Sequence, residues 1–523
     1  MLRKHFDYYF RYLDHDIPAG IVVFLVALPL CLGIAIASGA PPFSGVIAGV
    51  VGGLVVAVLS GSQLSVSGPA AGLTVIVAAA TEKLGFDGLL LAVALSGLMQ
   101  LAMGYLRAGI IGAFFPSAVI KGMLAAIGLI LIMKQLPHAI GYDADADSDL
   151  SFLEDDSHTA LSFVWEAFGS VTWGVVFVSL ASMAILLIWE TPAVKKRRFL
   201  SLLPGPLVAA LFGIAYNLLA QALFPSFAIG SQHLVNLPTI FGPADFARQF
   251  SFPDLGRLTD AQIYVTAATL ALIGSLETLL SLEAVDKLDP FKRVAPTNRE
   301  LKAQGVGNFI SGMLGGLPIT AVIVRSSANI DAGAHTKVAA VLHGALLLLS
   351  AMFLASVLNL IPLGCLAAVL LLTGYKLAKP KLFISQYEKG FNQFAPFAVT
   401  IGAILATDLL KGMAIGMAVG LFFVLRANYH SAFSLTRDGK NYLLRLQKDV
   451  SFLNKAQLRS YLEDIEAHSY LVIDGTRAGF IDYDIMETLQ DFIKAASDDN
   501  IEVELKEVRG LDRPNGLVAQ AAA

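Results

Sequence analysis

Apolar residues gather into long runs separated by short polar connections over residues 17–426. Measured against the ~20 residues that cross a ~30 Å hydrocarbon core, the runs fall at 17–37, 44–59, 69–80, 89–106, 118–136, 171–189 and 206–223. A second set falls at 263–285, 301–314, 318–332, 338–357, 363–377, 394–407 and 413–425. The third member of each set is short and opens on a proline, Pro69 after Gly68 and Pro318 after Leu317. An odd-numbered unit turns over when it is duplicated, so seven and seven predict an inverted repeat, with repeat one at about 17–223 and repeat two at about 261–426. Beyond residue 426 the pattern changes. Residues 441–447 alternate as a strand, 455–465 form an amphipathic helix, 470–474 an apolar strand, 483–495 a second helix and 501–506 a last strand. This predicts a small soluble α/β domain over 441–508, with a linker at 427–440 before it and a flexible tail at 509–523 after it. Residues 1–16 are charged and aromatic and read as a cytoplasmic lead-in, with no cleavage pattern behind them.

Composition adds the solvent. With 56% hydrophobic and 15% charged residues in a chain of 523 and a mean hydropathy of +0.67, the chain departs from the roughly 25% charged norm of soluble domains. It is a polytopic membrane protein, the lipid bilayer is its first partner, and the net charge of -4 gives no sign of nucleic-acid binding. Both cysteines, Cys31 and Cys365, lie in apolar runs, which gives no disulfide framework and no metal-ligand spacing. Placing both termini in the cytoplasm puts the basic clusters Lys195-Lys196-Arg197-Arg198, Lys287/Lys292/Arg293/Arg299 and Lys376/Lys379/Lys381/Lys389 inside. The acidic loop from Asp143 to Asp156 then lies outside. It lacks the central Gly and closing Glu of a calcium loop and reads as solvated.

Candidate chemistry concentrates at the two short runs. Gly315–Gly333 reads GGLPITAVIVRSSANIDAG and carries Arg325, although an ionised side chain at bilayer depth costs about 2.5–3.5 kcal/mol even on a lenient scale. Pro318 has no N–H to lose, so a helix is expected to start there with its free N–H groups facing a ligand. Residues Ser65 to Thr74, SVSGPAAGLT, have the same design. Helix N-termini of this kind bind anions. Glu277 is the other ionisable group at mid-span, with Ser281 one turn on and on the same face. Together they could carry a proton or hold Na⁺ through oxygens. Lys121, Lys134, His335 and His343 are expected to snorkel or cap near span ends. No catalytic constellation and no cofactor motif occurs, which points away from an enzyme and toward transport driven by ion gradients.

The stretches PLCLGIAIASGAPPFSGVIAGVVGG (29–53), SVSGPAAG, GSLETLLSLEAVDKL, and GGLPITAVIVRSSANIDAG followed by KVAAVLHG together resemble the SulP sulfate permease family of anion transporters. The C-terminal unit resembles its STAS domain. The resemblance implies an α-helical polytopic fold of 14 spans as a 7+7 inverted repeat, shared with nucleobase permeases and divided into core and gate domains. It implies an anion held between the facing N-termini of the third and tenth spans, elevator-type alternating access and a homodimer. Carried over by position, Pro69, Ala70, Ala71, Gly72 and Thr74 lie on the third span, and Thr320, Arg325 and Ser326 on the tenth. Glu277 and Ser281 resemble a Na⁺ site of bicarbonate carriers, with Glu where those have Asp, which favours a proton. Leu30 stands where sulfate-type members often carry Gln, which favours bicarbonate. Tyr483 and Asp484 replace the phosphorylated Ser pair of related domains, leaving a docking role for the domain. The expectation is a secondary-active carrier of bicarbonate or sulfate in a bacterial inner membrane, coupled to H⁺ or Na⁺. A carbonic anhydrase or another cytoplasmic partner would dock on the STAS domain. The alternatives are a C4-dicarboxylate or nucleobase symporter on the same fold, a membrane-anchored STAS sensor, or an anion channel.

Overall fold

The computed structural model describes residues 11–110, 115–141, 171–195, 203–224, 227–238, 245, 248–407, 409–429 and 432–508. The acidic loop, most of the lead-in, the basic run at 196–198 and the tail lie outside these residues. The chain divides into two compact units, Met1–Met417 and Ala418–Ala523.

The helices of the membrane region are α1 (Leu13–Ala37), α2 (Pro42–Leu59), α3 (Thr74–Tyr105), α4 (Ser117–Ile140), α5 (Trp173–Trp189), α6 (Gly205–Leu223), α7 (Ala261–Leu288), α8 (Thr297–Leu314), α9 (Ile323–Asp331), α10 (Val338–Phe353), α11 (Leu363–Leu377), α12 (Phe391–Ala406) and α13 (Leu409–Tyr429). Each of the fourteen apolar runs is helical over most of its length, because α3 takes up two of them. It breaks at Gly85, which adopts φ 67° and ψ 168° inside the helix, a conformation that only a residue without Cβ accepts readily. The break comes directly after Glu82-Lys83-Leu84, where the pattern ends the short third run. Eight helices among the described residues are long and apolar enough to cross a membrane, and α5, α10 and α12 are shorter apolar ones.

Helices in lipid gain no hydrophobic drive from touching each other, so close backbone packing over small residues takes its place. The most extensive helix pairing among the described residues is α3 with α8. There a methyl on Gly305 would lie 2.6 Å from the Leu101 nitrogen and 2.7 Å from the Gly97 carbonyl oxygen, leaving no room for a side chain.

The short segments differ from the expectation in one respect. Pro318 does not open a helix: it precedes a strand, β2 (Ile319–Ala321), and α9 begins only at Ile323. Pro69 likewise closes a strand, β1 (Ser67–Pro69), and a 3₁₀ turn at Ala71–Leu73 leads into α3. The two strands pair antiparallel, with Ser67 opposite Ala321, Gly68 opposite Thr320 and Pro69 opposite Ile319. The Val322 N–H extends the pairing to the Val66 carbonyl at 2.9 Å. Backbone away from water has to be satisfied within the protein, and these two unwound segments satisfy each other.

The second unit contains a four-stranded sheet in the order β3 (Phe433–Asp438), β4 (Asn441–Leu446), β5 (Tyr470–Asp474), β6 (Glu502–Lys506). The first pair is an antiparallel hairpin and the other two are parallel. Helices α14 (Lys455–Glu463) and α15 (Tyr483–Ala496) supply Leu458, Ile485 and Leu489 to a core with Leu444, Leu471 and Ile473. The stretch expected to be a linker, 427–440, holds the end of α13 and all of β3. Only a tight turn at Gly439, with φ 60°, separates β3 from β4.

Candidate functional site

Polar side chains of α8 hold the β1–β2 strand pair at its depth. Asn308 accepts the Ile319 N–H at 2.6 Å and donates to the Ile319 carbonyl at 2.9 Å and to Gln100 Oε1 at 2.7 Å. One turn earlier, Gln304 Nε2 donates to Ser67 Oγ at 2.8 Å and to Glu300 Oε1 at 3.1 Å, and Ser60 donates to the other oxygen of Glu300. Thr278 of α7 accepts the Ala321 N–H at 3.3 Å. Ser326 accepts the Val66 N–H at 2.9 Å and donates to the Val322 carbonyl at 2.8 Å. Of the residues expected at the site, Ser326 therefore has its hydroxyl engaged by the backbone.

Arg325 is fully buried. Its Nη2 reaches the Pro69 carbonyl at 3.4 Å, a long contact, while Nε and Nη1 have no partner. A carboxylate does not pair with it among the described residues. The guanidinium lies against Gly68, where any Cβ would overlap Nη1, and Cys31 and His343 flank it. His343 was expected near a span end. It is instead fully buried within α10, and neither ring nitrogen has a partner. Its surroundings are set by Gly344, the next residue, whose added Cβ would come 2.8 Å from Gly53 Cα, so α10 lies hard against α2. His335 does fit a capping role: its N–H donates to the buried Asp16 at 2.8 Å, and its ring stacks on Tyr12 with 5.0 Å between centroids.

On the other side of the strand pair, the Gly72 N–H at the head of α3 donates to the carboxylate of Glu277. A methyl on Gly72 would come 2.6 Å from Glu277 Oε1. Oε2 is closed off without a partner, and so are the hydroxyls of Thr74 and Thr320. Ser281 is buried one turn along α7. Pro69, Ala70, Gly72, Thr74, Thr320 and Arg325 are thus buried about one pair of strands, with Ala71 partly exposed beside them. The N-terminus of α3 is not free, because Glu277 occupies part of it.

A sequence profile of the sulfate permease family matches residues 13–400, and one of the STAS domain matches residues 432–512. The chain belongs to the sulfate permease family. This permease is 26% identical over 425 residues to the bicarbonate transporter BicA of Picosynechococcus, covering 79% of this chain and 70% of that one. It is 24% identical over 518 residues to a sodium-independent sulfate anion transporter of Bos taurus, covering 93% and 83%. The solved structure of the murine Solute Carrier 26 family member A9 superposes with a TM-score of 0.78 at 14% identity, covering 95% of this chain and 86% of that one. The family and the STAS domain that the motifs suggested are the ones matched, and the STAS match takes in β3.

Sequence reasoning passed over several residues that hold the β1–β2 pair in place: Gln100, Glu300, Gln304 and Asn308, all buried. The signal was present. Glu300, Gln304, Asn308 and Ser311 recur at helical spacing from just before the run at 301–314 into its second half, a polar stripe that has to face protein rather than lipid.

Proposed function

We propose that this permease is a secondary-active carrier of a small inorganic oxyanion, bicarbonate or sulfate, bound at the β1–β2 strand pair by Arg325, Thr74, Thr320 and the backbone from Pro69 to Gly72. The observation that carries the reading is Arg325: a fully buried guanidinium that has, among the described residues, two donor nitrogens unpartnered and no carboxylate against it. A buried cation without a partner calls for a counter-charge, and guanidinium offers a planar fork of donors that matches an oxyanion. Two relatives, BicA and the bovine protein, are named for bicarbonate and sulfate transport.

Glu277 supplies the coupling. Its carboxylate sits on the Gly72 N–H, the place an anion would take at the end of α3. Two negative groups at one helix end repel each other, so the anion binds well only after Glu277 is neutralised, by a proton or by Na⁺ held with Ser281. Cation and anion then enter together, which is symport. The rest of the reading is fourteen spans as two inverted repeats, elevator-type movement of a core against a gate, a homodimer in a bacterial inner membrane with both termini cytoplasmic, and a STAS domain that docks a cytoplasmic protein such as a carbonic anhydrase. The test is uptake of labelled bicarbonate, sulfate and succinate by the reconstituted protein under imposed H⁺ and Na⁺ gradients. Gradient-driven accumulation of bicarbonate or sulfate is expected. Uptake of succinate alone, or none that responds to a gradient, would overturn the reading.

A further inference from the structure

A cavity lies between α1, α4 and α11, lined by Gly33, Ile36, Gln135, His138, Leu363 and Leu366 among others. It is mostly apolar, with two sources of hydrogen-bond donors. Gln135 is 2% exposed, and its Nε2 is buried without a partner. The 15-residue α11 begins at Leu363 on the cavity wall, behind Pro362 and with no side-chain cap; its Cys365 N–H turns back to the Pro362 carbonyl at 3.0 Å, and the positive end of the helix dipole lies at this end. An amide NH₂ and a helix N-terminus thus share the wall of one small cavity, with His138 beside them.

Its position along α1 relates it to the site already described. Gly33 is two residues beyond Cys31, which flanks Arg325. Two residues advance a helix by about 3 Å and turn it by about 200°. The cavity and the guanidinium therefore lie at nearly the same depth on opposite faces of one helix.

We propose that this cavity is a second, weaker station for the transported anion, held by the Gln135 amide and the N-terminus of α11 and separated from Arg325 by α1. This rests on the reading of the chain as an anion carrier. The station has no formal positive charge of its own in Gln135 and α11, and the rest of its wall is His138 and apolar side chains. It therefore takes a small singly charged anion, which sheds its water more readily than a divalent one, and it holds that anion loosely enough to release it.

The test uses crystals of the full chain soaked in bromide and mapped by anomalous scattering, for the wild type, Gln135→Met and Gln135→Glu. Met keeps the bulk of the side chain without the donor; Glu keeps its shape and adds a like charge. The expected result is a bromide peak within hydrogen-bond reach of Gln135 Nε2 and another at Arg325, with only the first lost in either variant. In uptake assays Gln135→Met should raise KM about tenfold, the worth of one hydrogen bond to a charged group, with little change in kcat. A peak at Arg325 alone, or a cavity peak that persists in both variants, overturns the station and leaves the carrier reading intact. A cavity peak without one at Arg325 supports the station and removes Arg325 from the site. No peak at either place overturns both.

Discussion

Gly72 and Glu277 meet where α3 begins: the glycine N–H donates to the carboxylate, and one added methyl would stand 2.6 Å from Oε1. The same backbone group cannot serve a substrate anion and an ionised Glu277 at once. Glu277→Gln, a permanent mimic of the neutral acid, should therefore allow anion uptake that no longer responds to an imposed H⁺ or Na⁺ gradient. Parallel uptake with and without each gradient checks this, and unchanged gradient dependence removes Glu277 from the coupling.

Gly68 is the seat of the guanidinium. Because a Cβ there overlaps Arg325 Nη1, Gly68→Ala should push the guanidinium out of place and raise KM for the anion by about tenfold, the loss of roughly one charged hydrogen bond. Saturation curves of reconstituted uptake read this directly, and a thermal melt within a few degrees of wild type confirms that the fold is intact.

Arg325→Ala should reduce uptake by about a hundredfold or more while the protein still inserts in the membrane, since it removes the site's cation and its donors together. Arg325→Lys should recover only a small part, because an ammonium restores the charge without the planar fork. Uptake assays on equal amounts of inserted protein decide between them; a fully active lysine variant would mean that charge alone matters.

His343 lies beside Arg325 with both ring nitrogens unpartnered. His343→Glu would give the guanidinium an internal carboxylate and so a competitor for the substrate. Uptake should fall at least about tenfold with no drop in melting temperature relative to His343→Gln, which should transport normally. Equal loss in both variants would show that the imidazole ring itself is needed.

The STAS domain has its own pH signature. Asp474 is held at about 2, below its usual 3.8, first by the Thr476 hydroxyl at 2.6 Å and then by the Thr476 N–H and the Arg445 guanidinium, against the opposing effect of burial. A carboxyl depressed in the folded state stabilises above the unfolded pKa, and this contribution is lost as pH falls from about 4 toward 2. Asp474→Asn should lower the domain's stability at pH 7 and match wild type near pH 2. Urea melts of residues 432–508 at both pH values provide the check.

Most of the helices were legible because lipid demands long apolar runs, and the Gly85 break was legible because Glu82 and Lys83 interrupt one. The strands of the STAS sheet at β4, β5 and β6 were legible as well, but the two in the membrane region were not. Three-residue strands such as β1 and β2 have no periodicity to read, and their pairing joins residues some 250 apart in the chain, so Pro318 looked like the start of a helix. His343 was misread because a run of apolar residues does not show which face meets protein. Arg325 stood out by its charge in an apolar run and the two short segments by their proline punctuation, whereas Gly72, Thr74 and Thr320 were named through the family resemblance. The contact that changes their meaning, Glu277 on the Gly72 N–H, depends on the crossing of two helices and left no local trace.

The backbone bonds between Ser67–Pro69 and Ile319–Ala321 have a mechanical consequence. Prising the third run away from the tenth would strand bare amides and carbonyls in a greasy interior. On the alternating-access reading proposed above, the shift that exposes the pocket first to one side of the membrane and then to the other would carry both rims as a single piece, and the cargo would ride in a cradle that never opens along its own seam.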